Sequence, residues 1–384
     1  MSTQKTKLSQ PWLNSALSDS IFILSPPFLS LLLVFFFPDQ FKVTTAMPVE
    51  YWVLLVVFID VAHVYSTLYR TYFNTERLRK QHTLLITVPL LCYFSGVMLY
   101  HVDSLLFWRV LAYLAVFHFI RQQYGFMRLY SRTERTGEMS RLIDIVSIYA
   151  ATLYPILYWH FGATRNFNWF VADDFIYFPS KALEALSTWL YVVIIFLYAI
   201  KEISLLIRNR QFNIPRNLLI AGTFLSWYFG IVHFNGDMAF TTLNVISHGI
   251  PYVALIWFFE RKNREQVQSG RSMLTQLSSG KYGILLFMLT LILFAYIEEG
   301  LWDGFVWKEH TSVFFAFSAL PKVANVNILA LLVPLLALPQ STHYVLDGFI
   351  WRREKAPALK RPSPFAPFQE PKGCRREEDG AFSQ

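Results

Sequence analysis

Ten apolar runs, each near the length a helix needs to cross a bilayer, punctuate this chain: 20–37, 50–69, 83–101, 104–127, 142–161, 182–207, 216–234, 238–260, 281–298 and 326–351. A hydrocarbon core of about 30 Å takes roughly 20 residues of helix. Lipid offers the backbone no hydrogen bonds, so each run is expected as a helix that satisfies its own peptide groups. With 54% hydrophobic and 16% charged residues, the chain has too little polar surface for a soluble domain of its size. The fold class expected is an all-α polytopic membrane protein, with an N-terminal segment 1–19, a helical domain 20–354 and a flexible tail 355–384. Pro26 and Pro27 should kink the first span, and Pro334 and Pro339 the last.

Loop charge orients the spans. Lys5 and Lys7 precede the first; Arg77, Arg79 and Lys80 follow the second; Arg128, Arg132, Arg135 and Arg141 follow the fourth. Arg208, Arg210 and Arg216 follow the sixth, Arg261, Lys262, Arg264 and Arg271 the eighth, and Arg352, Arg353 and Lys355 the tenth. The intervening loops are poor in Lys and Arg, and two carry acids: Asp173 and Asp174, then Glu298, Glu299 and Asp303. Both termini are therefore expected in the cytosol, and the net charge of +8 reflects retained loops rather than affinity for nucleic acid. The expected location is a cell membrane, the inner one of a bacterium. The apolar stretch 311–320 is too short to span and is expected at the outer interface or as a re-entrant piece. Two cysteines, Cys92 and Cys374, offer neither a disulfide framework nor a thiolate metal site.

Ionisable groups at membrane depth are costly and mark function or pairing. Four of the nine histidines fall inside apolar runs, each with a polar residue three or four positions away: Asp60 with His63, His118 with Gln122, Asn244 with His248, and His343 with Asp347. Any single pair reads first as a structural hydrogen-bonding pair, but all four occupy even-numbered spans running in the same direction, which reverses that preference. At about 1.5 Å per residue they lie roughly 15 to 22 Å below the outer edge, so one shared site is expected. His63, His118, His248 and His343 are the expected metal ligands. Asp60 and Asp347 either join them, making room for a second ion, or accept the outward N–H of a ligating ring on a neighbouring helix. Gln122 and Asn244, with the two aspartates, are the further candidates for catalytic roles. Imidazole and carboxylate without thiolate suit iron, zinc, copper or nickel, and an apolar cavity favours redox iron. A bis-histidine haem protein and a proton-coupled transporter with a His/Asp relay are the competing readings.

Arg70, Arg121, Tyr124 and Arg352 lie just beyond the four pairs, and they are the candidates for holding the polar end of a lipid-like substrate. As positive-inside and interfacial residues they also need no special role. His233 with Asp237 reads as a turn cluster, and His82, His101, His160 and His310 as edge or loop residues.

In layout, the Asp60 to His63 segment, the HFIRQQYG run from His118 and the HYVLD run from His343 resemble the Brp/Blh-type membrane carotenoid dioxygenases. That resemblance implies a mononuclear iron held by histidines within a helical bundle. The HxxxH and HxxHH boxes of membrane fatty acid desaturases are absent. The resulting expectation is an iron-dependent integral membrane oxidoreductase, an oxygenase, acting on a hydrophobic small molecule, with membrane lipids and an electron donor as partners.

Overall fold

A computed structural model describes residues 10–41, 47–134, 136–162, 164–166, 168–210, 212–266 and 282–351. Among them every regular element is helical. Seven helices are each long and apolar enough to cross a membrane: α3 (Val49–Arg70), α4 (His82–Val102), α5 (Ser104–Tyr130), α6 (Glu138–Phe161), α7 (Lys181–Arg208), α9 (Asp237–Lys262) and α10 (Gly283–Trp307). Two bent pairs bring the count to nine if each is one span: α1 (Ala16–Leu24) with α2 (Pro26–Phe36) at 49°, and α11 (Val326–Leu336) with α12 (Leu338–Ile350) at 44°. The prolines account for both bends, because Pro26 and Pro339 open the second helix of each pair and lack the N–H needed to continue the first.

The expected count of ten falls short at one segment. Residues 216–234 are helical, as α8 (Ile214–Trp227) and the turn Tyr228–His233, but this helix is not long and apolar enough to count as a span. Its buried face explains why, since Arg216, Thr223 and Ser226 point into the protein rather than to lipid. The stretch 311–320 forms turns and a single 3-10 turn, Phe315–Phe317. Phe314 is fully buried beside Trp52 and Tyr296, and Asp303 Oδ1 accepts from the backbone N–H groups of Glu309 and His310 at 2.8 and 2.7 Å. It closes one end of α3 and α10.

Helix starts follow the sequence. Asp103, Ser180, Asn213 and Asn325 each use a side-chain oxygen to cap the first turn of α5, α7, α8 and α11. More consequential are the π-helical turns at Val53–Val61 in α3 and Thr241–Val245 in α9. Such widenings re-aim the residues that follow, and they recur at functional sites. Here they stand directly before His63 and His248.

Two apolar clusters bracket the middle of the bundle. One joins α5, α6 and α8 through Phe119, Trp159 and Trp227; the other joins α3, α9 and α10 through Val61, Ile256 and Leu291. Between them α3, α5, α9 and α12 enclose a polar interior.

Candidate metal centre

The four buried histidines converge, one from each of these helices. His63 Nε2 lies 3.1 Å from His248 Nε2, and His118 Nε2 lies 3.1 Å from His343 Nε2. Adjacent ring centroids are 4.6 Å (His63 to His248), 5.0 Å (His248 to His118), 4.4 Å (His118 to His343) and 5.0 Å (His343 to His63). The rings form a closed quadrangle. Each histidine is 1 or 2% exposed.

Four cross-helix contacts hold it. Gly249 lets α9 touch α3, because a Cβ there would stand 2.8 Å from Ile59 Cγ2 and 3.0 Å from the Ile59 carbonyl oxygen. Gln122 Nε2 donates to the His248 carbonyl at 2.9 Å, joining α5 to α9. Asp347 Oδ2 on α12 stands 3.4 Å from His118 Nδ1 on α5, and Thr67 Oγ1 on α3 lies 2.7 Å from His343 Nδ1 on α12. Phe119 stacks flat on His248, with centroids 3.5 Å apart.

Below the rings runs a second polar layer. Thr67, Gln122, Tyr252 and Asp347 each stand four residues, one helical turn, after a histidine. Tyr252 donates its hydroxyl to Asp347 Oδ1 at 2.7 Å and lies 3.2 Å from Thr67 Oγ1. Trp351 Nε1 donates to the same Asp347 oxygen at 2.7 Å. On the other side, Asp60 Oδ1 is 3.7 Å from His63 Nδ1, and Glu298 accepts from Tyr65 (2.6 Å) and Gln340 (3.1 Å).

Three of the four local pairs seen in the spacing are replaced by other contacts, and Asp347 stands behind a ring of a neighbouring helix, one of the two roles expected for it. His118 meets Asp347 rather than bonding Gln122, and His343 meets Thr67 rather than Asp347. Asn244 Nδ2 donates to the Phe240 carbonyl at 3.1 Å inside the π-helical turn, not to His248. Only Asp60 and His63 keep their local pairing. Both aspartates stand behind histidine Nδ1 atoms, on the side away from the converging Nε2 atoms, so they orient rings and do not point into the centre.

The nitrogens fit a metal. Nδ1 of His63 and His118 lies 3.7 and 3.4 Å from a carboxylate and that of His343 2.7 Å from a hydroxyl, and with the Nδ1 protons on that side the Nε2 lone pairs would face inward. An Nε2 to Nε2 separation of 3.1 Å fits an N–H···N hydrogen bond between two neutral rings, and equally two nitrogens each about 2.0–2.1 Å from one ion. Ligating nitrogens of His63, His118 and His343 all lie within 4.8 Å of one another. The Nδ1 atoms of His63, His118 and His248 are buried without a hydrogen bond. Rings 4.4 to 5.0 Å apart leave no slot for a porphyrin between them.

The candidate substrate residues are not gathered at the centre. Arg70 is buried, donates to the Ile350 carbonyl at 3.1 Å, and lies between the rings of Phe259 (3.6 Å) and Trp351 (4.1 Å), a helix-capping role on α12. Arg121 is exposed, donating to Tyr149 Oη at 2.7 Å with its guanidinium 4.8 Å from the Tyr124 ring. No acid accompanies it among the described residues. Arg352 lies outside the described residues, as do Lys5, Lys7, Arg135, Arg271, Arg353 and Lys355.

Sequence reasoning passed over Thr67, Tyr252 and Phe119, although for Thr67 and Tyr252 a polar residue at i+4 from His on all four helices was the available signal. It also passed over a buried ionic cluster within the spans. Asp144 on α6, Lys201 and Glu202 on α7 and Arg216 on α8 pair with one another, and Arg216 Nη1 reaches Glu134 at 2.8 Å. No family model, curated protein or solved structure matches this chain.

Proposed function

We propose that the chain is an integral membrane oxidoreductase built around one non-haem iron ion held by His63, His118, His248 and His343. The observation that carries this is the pair of 3.1 Å Nε2 to Nε2 approaches, with the Nδ1 atoms of His118 and His343 turned outward to Asp347 and Thr67. Asp60 and Asp347 would balance a divalent charge that apolar surroundings otherwise disfavour. A single ion is supported by the compactness of the set, since three ligand atoms lie within 4.8 Å of one another.

When bound, iron supplies one-electron and oxygen chemistry. The chain's own residues set its surroundings. Phe119 and Tyr344 cover the rings, with centroids 3.5 Å from His248 and 5.2 Å from His118, and exclude water. Tyr252 and Trp351 fix Asp347, whose Oδ2 stands 3.4 Å from His118 Nδ1, where it would favour a proton on that nitrogen. A hydrophobic substrate is supported by an apolar groove of about 260 Å³ between α4, α5 and α12, lined by Leu91, Leu99, Val110 and Leu114 among others. Ten spans with both termini cytosolic remain part of this reading, with α8 counted as a span.

A proton-coupled carrier is the second reading. Glu298, Glu299 and Asp303 on α10 stand on the same side of the histidines as Asp60, with Glu298 5% and Asp303 3% exposed, as a relay would require. One experiment separates the two. Protein reconstituted with ferrous iron in vesicles is supplied with extracted membrane lipids and isoprenoids, and oxygen uptake and oxidised products are followed, with His343→Ala as control. Uptake that depends on His343 supports the oxidoreductase; none, together with pH-gradient dissipation, supports the carrier.

A further inference from the structure

About 15 Å along α5 from His118, ten residues on, a second polar cavity opens where α5 meets α6. It encloses about 80 Å³ and is lined by Arg128, Ser131, Arg132, Glu134, Thr136, Arg141 and Asp144. Its two acids are already engaged. Glu134 accepts from Asn213 at 2.7 Å and Arg216 at 2.8 Å, while Asp144 is paired with Lys201 and, at 3.0 Å, with Arg216. Arg132 spends both terminal nitrogens on the carbonyls of Pro11 (2.6 Å), Leu129 (2.7 Å) and Trp12 (2.6 Å), and its Nε is buried without a partner.

Arg128 and Arg141 make no hydrogen bond or ion pair among the described residues. Among the described residues, five cations around the cavity (Arg128, Arg132, Arg141, Lys201 and Arg216) face four carboxylates (Glu134, Asp144, Glu202 and, near Arg132, Asp19), an excess of one positive charge. Arg128 is half-buried and Arg141 exposed, so both can meet an anion that enters the cavity from solvent. The Thr136 hydroxyl and Arg132 Nε add uncharged-group and cationic donors, whereas the Ser131 hydroxyl is spent on the Met127 carbonyl at 2.8 Å.

We propose that this cavity binds a phosphate group, with Arg128 and Arg141 supplying the charge-assisted hydrogen bonds and Arg132 and Thr136 completing the cradle. Its volume takes a phosphate but not a nucleotide. The group can come from the head of an anionic lipid or from free phosphate, and the site lies at the ends of apolar helices where either is accessible.

The test uses the full chain in detergent. Native mass spectrometry in micelles containing phosphatidic acid or phosphatidylcholine reads lipid binding, and equilibrium dialysis against radiolabelled inorganic phosphate reads the free anion. Losing two charge-assisted contacts should weaken binding at least about 100-fold in the Arg128→Gln/Arg141→Gln variant. Arg79→Gln, on the exposed surface of another basic loop, should bind as wild type. Binding of phosphatidic acid alone assigns a head-group site, and binding of phosphate without lipid assigns a free-anion site. Absence of both in the wild type, or equal affinity in the double variant, overturns the proposal. If that variant does not fold, phenylglyoxal modification of the wild type decides the matter: phosphate should protect Arg128 and Arg141, and unchanged modification of both would also overturn it.

Discussion

Replacing Asp347 by Asn tests how the second polar layer governs the histidines. The carboxylate has three jobs: Oδ1 accepts from Tyr252 and Trp351, both at 2.7 Å, and Oδ2 faces His118 Nδ1 at 3.4 Å. An asparagine of the same shape keeps an oxygen for the two donors and turns its amide N–H toward His118. Two donors cannot face each other, so His118 Nδ1 becomes an acceptor and its proton moves to Nε2, which removes one lone pair from the centre. Changes of this kind behind a metal ligand cost about 10- to 100-fold in affinity, or about 1.4 to 2.8 kcal/mol. Stability changes separately. Two charge-assisted bonds of about 2 kcal/mol become neutral ones of about 1 kcal/mol, a loss of about 2 kcal/mol before relief of carboxylate desolvation. The fold should survive that. Metal affinity measured by competition with a chelator, with melting temperature recorded in parallel, is the assay. A folded Asp347→Asn protein that binds metal within threefold of wild type would refute the tautomer argument.

Three further outcomes follow from the packing. Gly249→Ala should force α9 away from Ile59 and cost about 1 to 3 kcal/mol in thermal or denaturant unfolding, with weaker metal binding because His248 moves with its backbone. Arg216→Met leaves Asp144, Glu202 and Glu134 without their shared cation and should destabilise by about 3 to 5 kcal/mol, measured as a fall in melting temperature. Arg121→Gln should leave metal content and melting temperature unchanged within error, because the exposed guanidinium gives up one bond to Tyr149; loss of metal on that substitution would put Arg121 back at the centre.

The shared site was legible because ionisable groups are rare in apolar runs and the loop charges give α3, α5, α9 and α12 one direction. Position could be counted along each helix, and the four rings meet. That a neighbouring helix could supply the acceptor was legible, but which residue meets which ring was not, for two physical reasons. A spacing of three or four residues places side chains on one helix face, but their partners come from the next helix, as Thr67 does for His343 and Asp347 for His118. The π-helical turns before His63 and His248 also break the 3.6-residue period that spacing assumes. The span count suffered differently. Arg216 was read as loop charge, whereas it is 1% exposed and anchors an ionic cluster that keeps α8 polar on its inner face. Asp144, Lys201 and Glu202, equally inside apolar runs, carried the same signal as the histidines.

The central claim is that four histidines from four helices hold one metal ion. Elemental analysis of detergent-purified wild type beside His63→Ala, His118→Ala, His248→Ala and His343→Ala tests it most directly. The account predicts about one iron per folded chain in the wild type and little in each variant, with melting temperatures lowered only by the loss of bound metal. A folded wild-type chain that takes up no transition metal when iron is supplied would contradict it.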